Sequence, residues 1–166
     1  ARPSELAAAA GCRQAEEVTT WDLRIAPDES AEEVIRDRLI GYNKDHSEIV
    51  RARFRPENLP SRPLAVYAYD GHELVGGACG RAVDVWRWLT VDLMWVDDVL
   101  RGHGLGRALL ERLEDEARLR GCDWSKLNTW DFQAPAFYTR CGYVEYGREV
   151  DYPPGHTNFL LRKDLR

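Results

Sequence analysis

Between Leu89 and Gly121 a β-prone run, a turn with three alternating glycines and a long amphipathic stretch follow one another with no spare residues. Leu89, Val91, Leu93, Trp95 and Val99, interleaved with Thr90, Asp92 and Met94, read as a central strand ending near Asp97-Asp98. After the turn Arg101-Gly102-His103-Gly104-Leu105-Gly106-Arg107, the residues Leu105, Leu109, Leu113 and Ala117 recur every four positions beside Leu110. That spacing predicts a helix to about Arg120, with Arg107/Glu111, Glu114/Arg118 and Glu116/Arg120 pairs on its outer face and Gly121 as its C-terminal cap.

Glycines alternating at the mouth of a helix let backbone N–H groups turn outward together at the positive end of the helix dipole, which is a place for phosphate. Arg101 and Arg107 flank the turn with cations, which favours a pyrophosphate over a carboxylate. A tight turn that merely needs glycine is the competing account. The spacing excludes two familiar phosphate loops. Counting from Gly102, the last glycine of a G-x-G-x-x-G fingerprint would have to stand where Arg107 does, and no G-x-x-x-x-G-K-[ST] run exists.

A chain of 166 residues suits one domain, and a formal charge of −5 with no basic block argues against a nucleic-acid partner. Cys12, Cys79, Cys122 and Cys141 are scattered without C-x-x-C pairing, and the histidines are equally dispersed, so neither a metal site nor a disulfide framework is expected. The reading is a cytoplasmic protein. No run approaches the roughly 18 apolar residues of a membrane span, and no signal peptide or other membrane association is expected.

Residues 1–16 read as an N-terminal extension, and 17–166 as a single domain. A first strand is expected over Val18–Ile25. Ser30 and Glu33 form a capping box for a helix that turns Val34, Ile35, Leu39 and Ile40 inward and ends near Gly41 or Tyr42. Asn43–Arg55 reads as a weaker helix or a loop. Pro63–Tyr69 and Leu74–Val83 are strands joined through Asp70-Gly71, with Gly76, Gly77 and Gly80 pointing to a bulge or a close backbone approach. Trp124–Thr129, Val144–Val150 and Asn158–Arg162 complete the strands, with a short helix around Phe137-Tyr138.

Arg101, Gly104 and Gly106 fill the pattern [Q/R]-x-x-G-x-[G/A] between a strand and a helix. Asn128 at a strand end, then Phe137-Tyr138 and Gly142-Tyr143, match F-Y-x-x-x-G-[F/Y] further on. In these two motifs the chain resembles the GNAT superfamily of acyl-CoA-dependent N-acyltransferases, and the likeness covers about residues 63–166. It implies an α+β fold of three layers, α/β/α, with a mixed, mostly antiparallel sheet of about 6–7 strands, a splayed central strand pair and about four helices. The wording around Asp131–Pro135 and from Pro154-Gly155-His156 to Leu165 is similar to a small bacterial subgroup of that superfamily, mostly without an assigned substrate.

The resemblance implies acetyl-CoA as donor and no metal. It assigns Met94, Trp95, Val96, Arg101, Gly102, His103, Gly104, Leu105, Gly106, Arg107, Asn128, Phe137 and Tyr138 to coenzyme A, with a Val96 or Trp95 N–H facing the acetyl oxygen. Tyr138 stands where the family supplies a general acid for the thiolate. Asp92 is the first choice of base, because even spacing places it on the face of Met94 and Val96; Asp97, Asp98 and Asp131 are alternatives. Tyr42, Asn43, Trp86, Trp88, Asp131, Asp151 and Tyr152 fall where the family builds its acceptor pocket, and aromatic walls with carboxylates suit a cation. A core or a homodimer contact would account for the tryptophans equally. Acetylation of a small-molecule amine is the first reading, with an antibiotic or other natural product in view. Acetylation of a protein N-terminus or lysine, and a non-catalytic acyl-CoA-binding module, remain open beside it.

Overall fold

The structure is a computed structural model that describes residues 21–25 and 27–166. By its contacts the chain divides between Asp37 and Arg38. The expected extension over 1–16 and the start of the first strand, residues 18–20, lie outside the described residues, and 21–25 are not strand.

Helix α1 spans Glu29–His46, four residues beyond Tyr42. Its cap is Asp28 rather than Ser30: one Asp28 oxygen accepts the N–H groups of Ser30 and Ala31 at 3.0 and 3.1 Å. No residue of α1 is buried, so Val34, Ile35, Leu39 and Ile40 do not form the expected core stripe. Helix α2, Glu48–Arg53, opens on Ser47, whose hydroxyl accepts from the Val50 amide. No helix of the described residues is long and apolar enough to cross a membrane.

The sheet consists of β1 (Arg62–Asp70), β2 (Glu73–Val83), β3 (Trp88–Val96), β4 (Trp124–Trp130), β5 (Val144–Val150) and β6 (Thr157–Asp164), in the order β1-β2-β3-β4-β6-β5. All neighbours are antiparallel except β3 and β4. The Asp70-Gly71 turn closes the β1–β2 hairpin, with Gly71 at a φ of 59° that glycine adopts without strain. Helices α3 (Leu105–Leu119) and α4 (Pro135–Arg140) follow β3 and β4.

Helix α3 presses Leu109, Leu110, Leu113 and Ala117 onto a sheet face built from Leu64, Ala78, Ala82, Leu89, Val91, Leu127 and Leu161. Each buried leucine contributes about 1.5–3 kcal/mol, against about 0.3–0.5 kcal/mol for an exposed i,i+4 ion pair. The stripe therefore fixes the helix, and the pairs trim its surface. Glu114 corrects the expectation of an outer-face pair. It is fully buried, four residues after Leu110 on the core stripe, and it accepts from Lys163 Nζ of β6 at 2.6 Å, with Arg118 at 3.8 Å. Beside it the Tyr143 hydroxyl shares a 2.6 Å hydrogen bond with Ser125, and burial together with the Glu114 charge drives the Tyr143 phenol far up.

Strand β3 departs from simple alternation. Gly80 of β2 opposes Val91 and Cys79 opposes Leu93, which leaves Asp92 as the extra residue of a bulge. Leu89 and Val91 enter the core before it, and Met94 and Val96 pack there after it, one step out of phase. Leu93 and Trp95, expected with Leu89, are instead 69% and 49% exposed. Gly80 makes room for the bulge, since a Cβ there would lie 2.3 Å from the Thr90 carbonyl oxygen.

Candidate active site

The parallel pair β3–β4 holds together only at Trp88/Trp124, Leu89/Ser125 and Thr90/Lys126. Beyond Thr90 the two strands part. The gap is a cleft of about 1110 Å³ lined by Val91–Val96 on one side, Leu127–Trp130 on the other, and Gly102, Gly104, Gly106, Phe137 and Tyr138. One wall is a row of main-chain groups. The Asp97 N–H bonds the Val75 carbonyl, so in the antiparallel alternation the pairs Trp95/Gly77 and Asp97/Val75 face each other, while the N–H and C=O groups of Met94 and Val96 turn away from β2 into the cleft. Of the two amides anticipated near the acetyl oxygen, this geometry presents Val96 and turns Trp95 away.

At the far end of the cleft the turn before α3 presents its own amides. Helical bonding begins with Ala108 N–H to Gly104 C=O at 3.0 Å, and among the described residues the amides of 102–107 meet no protein acceptor. Gly102 and Gly104 hold φ angles of 81° and 90°, which aim these amides outward, and no cap side chain occupies the helix start. A Cβ at Gly104 would meet nothing within 4 Å, whereas one at Gly106 would touch Met94 and Phe137 at 3.5 Å. A row of free amides, a helix dipole and a groove leading from them between two strands fit the diphosphate and pantetheine arm of coenzyme A. The two arginines are more engaged than their spacing implied. Arg101 donates to the Val96 carbonyl at 3.1 Å and pairs with Asp98 at 2.6 Å, while Arg107 donates to the Arg140 carbonyl at 3.0 Å. His103 bonds the Arg101 carbonyl and Leu105 packs toward the core; neither lines the cleft.

Tyr138 lines the cleft from α4, edge-on to Phe137 at 5.0 Å and to Tyr143 at 5.9 Å. Burial, and then the Cys141 thiol, push its phenol above the ordinary value, so it stays protonated throughout the neutral range. Asn128 lines the opposite wall and gives its amide to Asn158 Oδ1 at 3.2 Å, and Asn158 in turn donates to Glu149 at 2.7 Å. The Asn128 side-chain oxygen has no partner among the described hydrogen bonds.

Asp92 lies on the cleft wall, but the bulge breaks the phase that would align it with Met94 and Val96, and it pairs with Arg81 at 3.2 Å. The proposed acceptor residues scatter. Tyr42 stacks on His46 at 3.9 Å, Trp86 lies under the Arg53 guanidinium, and Trp88 stacks on Trp124 at 5.6 Å where β3 and β4 are still paired. None of these lines the cleft, nor does Asn43. Asp151 caps the β5–β6 turn by accepting from Gly155 N–H.

At the cleft mouth stand residues that the sequence reading left out. Trp130 and Phe132 stack nearly parallel, with centroids 5.9 Å apart, and both line the cleft. Gln133 closes the turn between β4 and α4 by accepting from Trp130 N–H and Thr129 Oγ1, each at 3.0 Å. The wording Asp131–Pro135 was the available signal for this turn.

Residues 8–143 match the Acetyltransferase (GNAT) family. Over 133 residues the chain is 47% identical to the blasticidin-S acetyltransferase of Streptomyces morookaense, which spans 77% of this chain and 96% of that protein. An acetyltransferase crystal structure from Bacillus cereus superposes with a TM-score of 0.67 at 28% identity, covering 86% of this chain and 97% of that one. Nourseothricin acetyltransferase superposes with a TM-score of 0.56 at 28% identity, covering 68% and 69% of the two chains. The chain belongs to the GNAT family of acetyltransferases and is a transferase, and the sheet with its parted central pair, six strands and four α-helices among the described residues, is that family's fold.

Proposed function

We propose that this protein moves the acetyl group of acetyl-CoA onto a primary amine of a small molecule, an antibiotic of the kind that blasticidin S represents, by direct attack with both substrates bound. The parted strand pair ending at a row of free amides carries the donor half of this reading. The 47% identity to a blasticidin-S acetyltransferase supports the acceptor half. Acetyl-CoA, when bound, supplies a thioester already activated for attack.

The residues of this chain do the rest. The amides at 102–107 hold the diphosphate, and the main chain of Met94 and Val96 orients the pantetheine arm as an added strand. The Val96 N–H is placed to polarise the thioester carbonyl. Tyr138 keeps its proton at neutral pH and gives it to the departing sulfur as the C–S bond breaks. Asp92, paired with Arg81 beside the bulge, forms a polar part of the cleft wall. We read residues 17–166 as the acetyltransferase domain.

The test is thiol release from acetyl-CoA in the presence of blasticidin S and a panel of other amine antibiotics, simple polyamines and peptides, with mass spectrometry of the product. Gain of one acetyl group on an antibiotic amine is the expected result. Acetylation of peptides alone, or tight coenzyme A binding with no acceptor at all, would overturn it.

A further inference from the structure

The β4–α4 turn, whose Trp130, Phe132 and Gln133 line the cleft, meets the β5–β6 turn through Asp131 and His156, 25 residues apart and next to that lining rather than in it. His156 Nδ1 lies 3.0 Å from Asp131 Oδ1. Asp131 is itself held in place, because Phe132 N–H donates to Oδ1 at 2.8 Å and Thr157 N–H to Oδ2 at 3.2 Å. The Asp131 N–H also bonds the Thr157 carbonyl. Burial pulls the Asp131 carboxyl upward, but the Thr157 amide, the His156 ring and the Phe132 amide outweigh it and keep it ionised well into acid. A carboxylate fixed on one ring nitrogen sets the tautomer, with the proton on Nδ1 and the lone pair on Nε2. Among the described hydrogen bonds Nε2 has no partner.

The ring stands edge-on to Phe132 at 4.8 Å, and Phe132 lines the cleft. The ring pairs with Asp131 from the β4–α4 turn, and in its own turn the Asp151 carboxylate is taken by the Gly155 amide. No arginine or lysine pairs with Asp131 among the described residues. The other carboxylates considered as a base are engaged: Asp92 with Arg81, Asp97 with the Val99 amide and Asp98 with Arg101. An amine offered at neutral pH is an ammonium ion and must lose a proton before it can attack. Histidine is the side chain whose ordinary charge change falls between pH 5 and 8.

We propose that His156 is the general base of the reaction, with Asp131 as the residue that positions it. This rests on the acetyltransfer reading above. The acceptor ammonium gives one proton to His156 Nε2, and the freed lone pair forms the C–N bond as the C–S bond breaks. The second nitrogen proton balances the one that Tyr138 places on sulfur. The proton on His156 leaves to solvent through the exposed half of the ring, so the net products are an amide, a thiol and one proton.

The experiment combines rate profiles with a titration that needs no turnover. Wild type, His156→Gln, Asp131→Asn and Asp92→Asn are assayed from pH 5 to 9 with the best acceptor from the amine panel. Coenzyme A binding by calorimetry checks that each variant is folded. The His156 ring is titrated by NMR in wild type and in Asp131→Asn. His156→Gln should lower kcat/KM about 10²-fold at neutral pH and abolish the acid limb of the profile. Asp131→Asn should displace that limb and the His156 ring titration together. An unchanged limb in His156→Gln overturns the proposal while acetyltransfer stands, and loss of the limb in Asp92→Asn alone transfers the role to Asp92. A His156 titration that ignores Asp131→Asn overturns the positioning role. A wild type that acetylates no amine removes both readings.

Discussion

Gly80 faces the Thr90 carbonyl oxygen so closely that a methyl group on Gly80 would lie 2.3 Å from it. The contact is main chain against main chain, so no side-chain rotation relieves it. It sits where β3 takes in Asp92 as an extra residue, and the bulge decides which amides of β3 face the cleft.

Gly80→Ala is therefore expected to cost about 1–3 kcal/mol of stability, as forced overpacking does. Coenzyme A should also bind more weakly, because β3 must shift at the start of the open segment. Denaturant unfolding and calorimetry check this. Unaltered stability and affinity would mean that the two strands move apart freely.

At Gly104 the argument is conformational. Nothing stands within 4 Å of an added Cβ, but the φ of 90° is one that a β-branched residue resists. Gly104→Val should raise the coenzyme A dissociation constant tenfold or more and lower the melting temperature by a few degrees, since the strained backbone costs about 1–2 kcal/mol. Retained affinity would remove this turn from the donor site.

Tyr138→Phe should lower kcat about 10²-fold while coenzyme A affinity stays within a factor of about two. The phenol is shifted upward, so its protonated form persists as pH rises. Tyr138 should accordingly produce no alkaline limb below about pH 10. A wild-type rate that falls between pH 8 and 9 and stops falling in Tyr138→Phe would contradict this.

Lys163→Met leaves the Glu114 carboxylate buried with only Arg118 at 3.8 Å, and one Glu114 oxygen already has no partner. Removing one side of a buried pair costs about 3–5 kcal/mol, and the lower end applies because Lys163 retains some exposure. Glu114→Leu with Lys163→Met should recover most of that loss. A double-mutant cycle by denaturant unfolding measures both, and a double variant no better than the single one would show that the pair is not coupled.

What the sequence made legible was local or periodic. Alternate glycines before a strong four-residue repeat identify the turn and α3, and Asp70-Gly71 identifies the first hairpin. The order of strands and the likeness of Asn128, Phe137 and Tyr138 to a family pattern supply the rest of the proposed donor site. What escaped reading depends on register or on partners distant in sequence. Gly80 hinted at a bulge, but only cross-strand pairing shows that it falls at Asp92 and reverses the faces of Leu93 and Met94. Glu114 looked like a surface partner of Arg118, and its burial follows from Lys163 on a strand 49 residues away. His156 stood in wording similar to a bacterial subgroup, but its pairing escaped reading because Asp131 lies on another turn 25 residues away. Asp28 displaced Ser30 as the cap because either residue type can fill that place.

The central seam of the sheet is fastened by three residues and then left unzipped. What it exposes is peptide backbone, which mutation of side chains leaves in place, whereas the two turns beyond it are held by side chains, Gln133 on Trp130 and Asp131 with His156. A protein built this way can keep one currency of activated acyl groups through long divergence while exchanging the recipients it serves. Relatives sharing the seam should accordingly keep its main-chain geometry while the side chains around it differ.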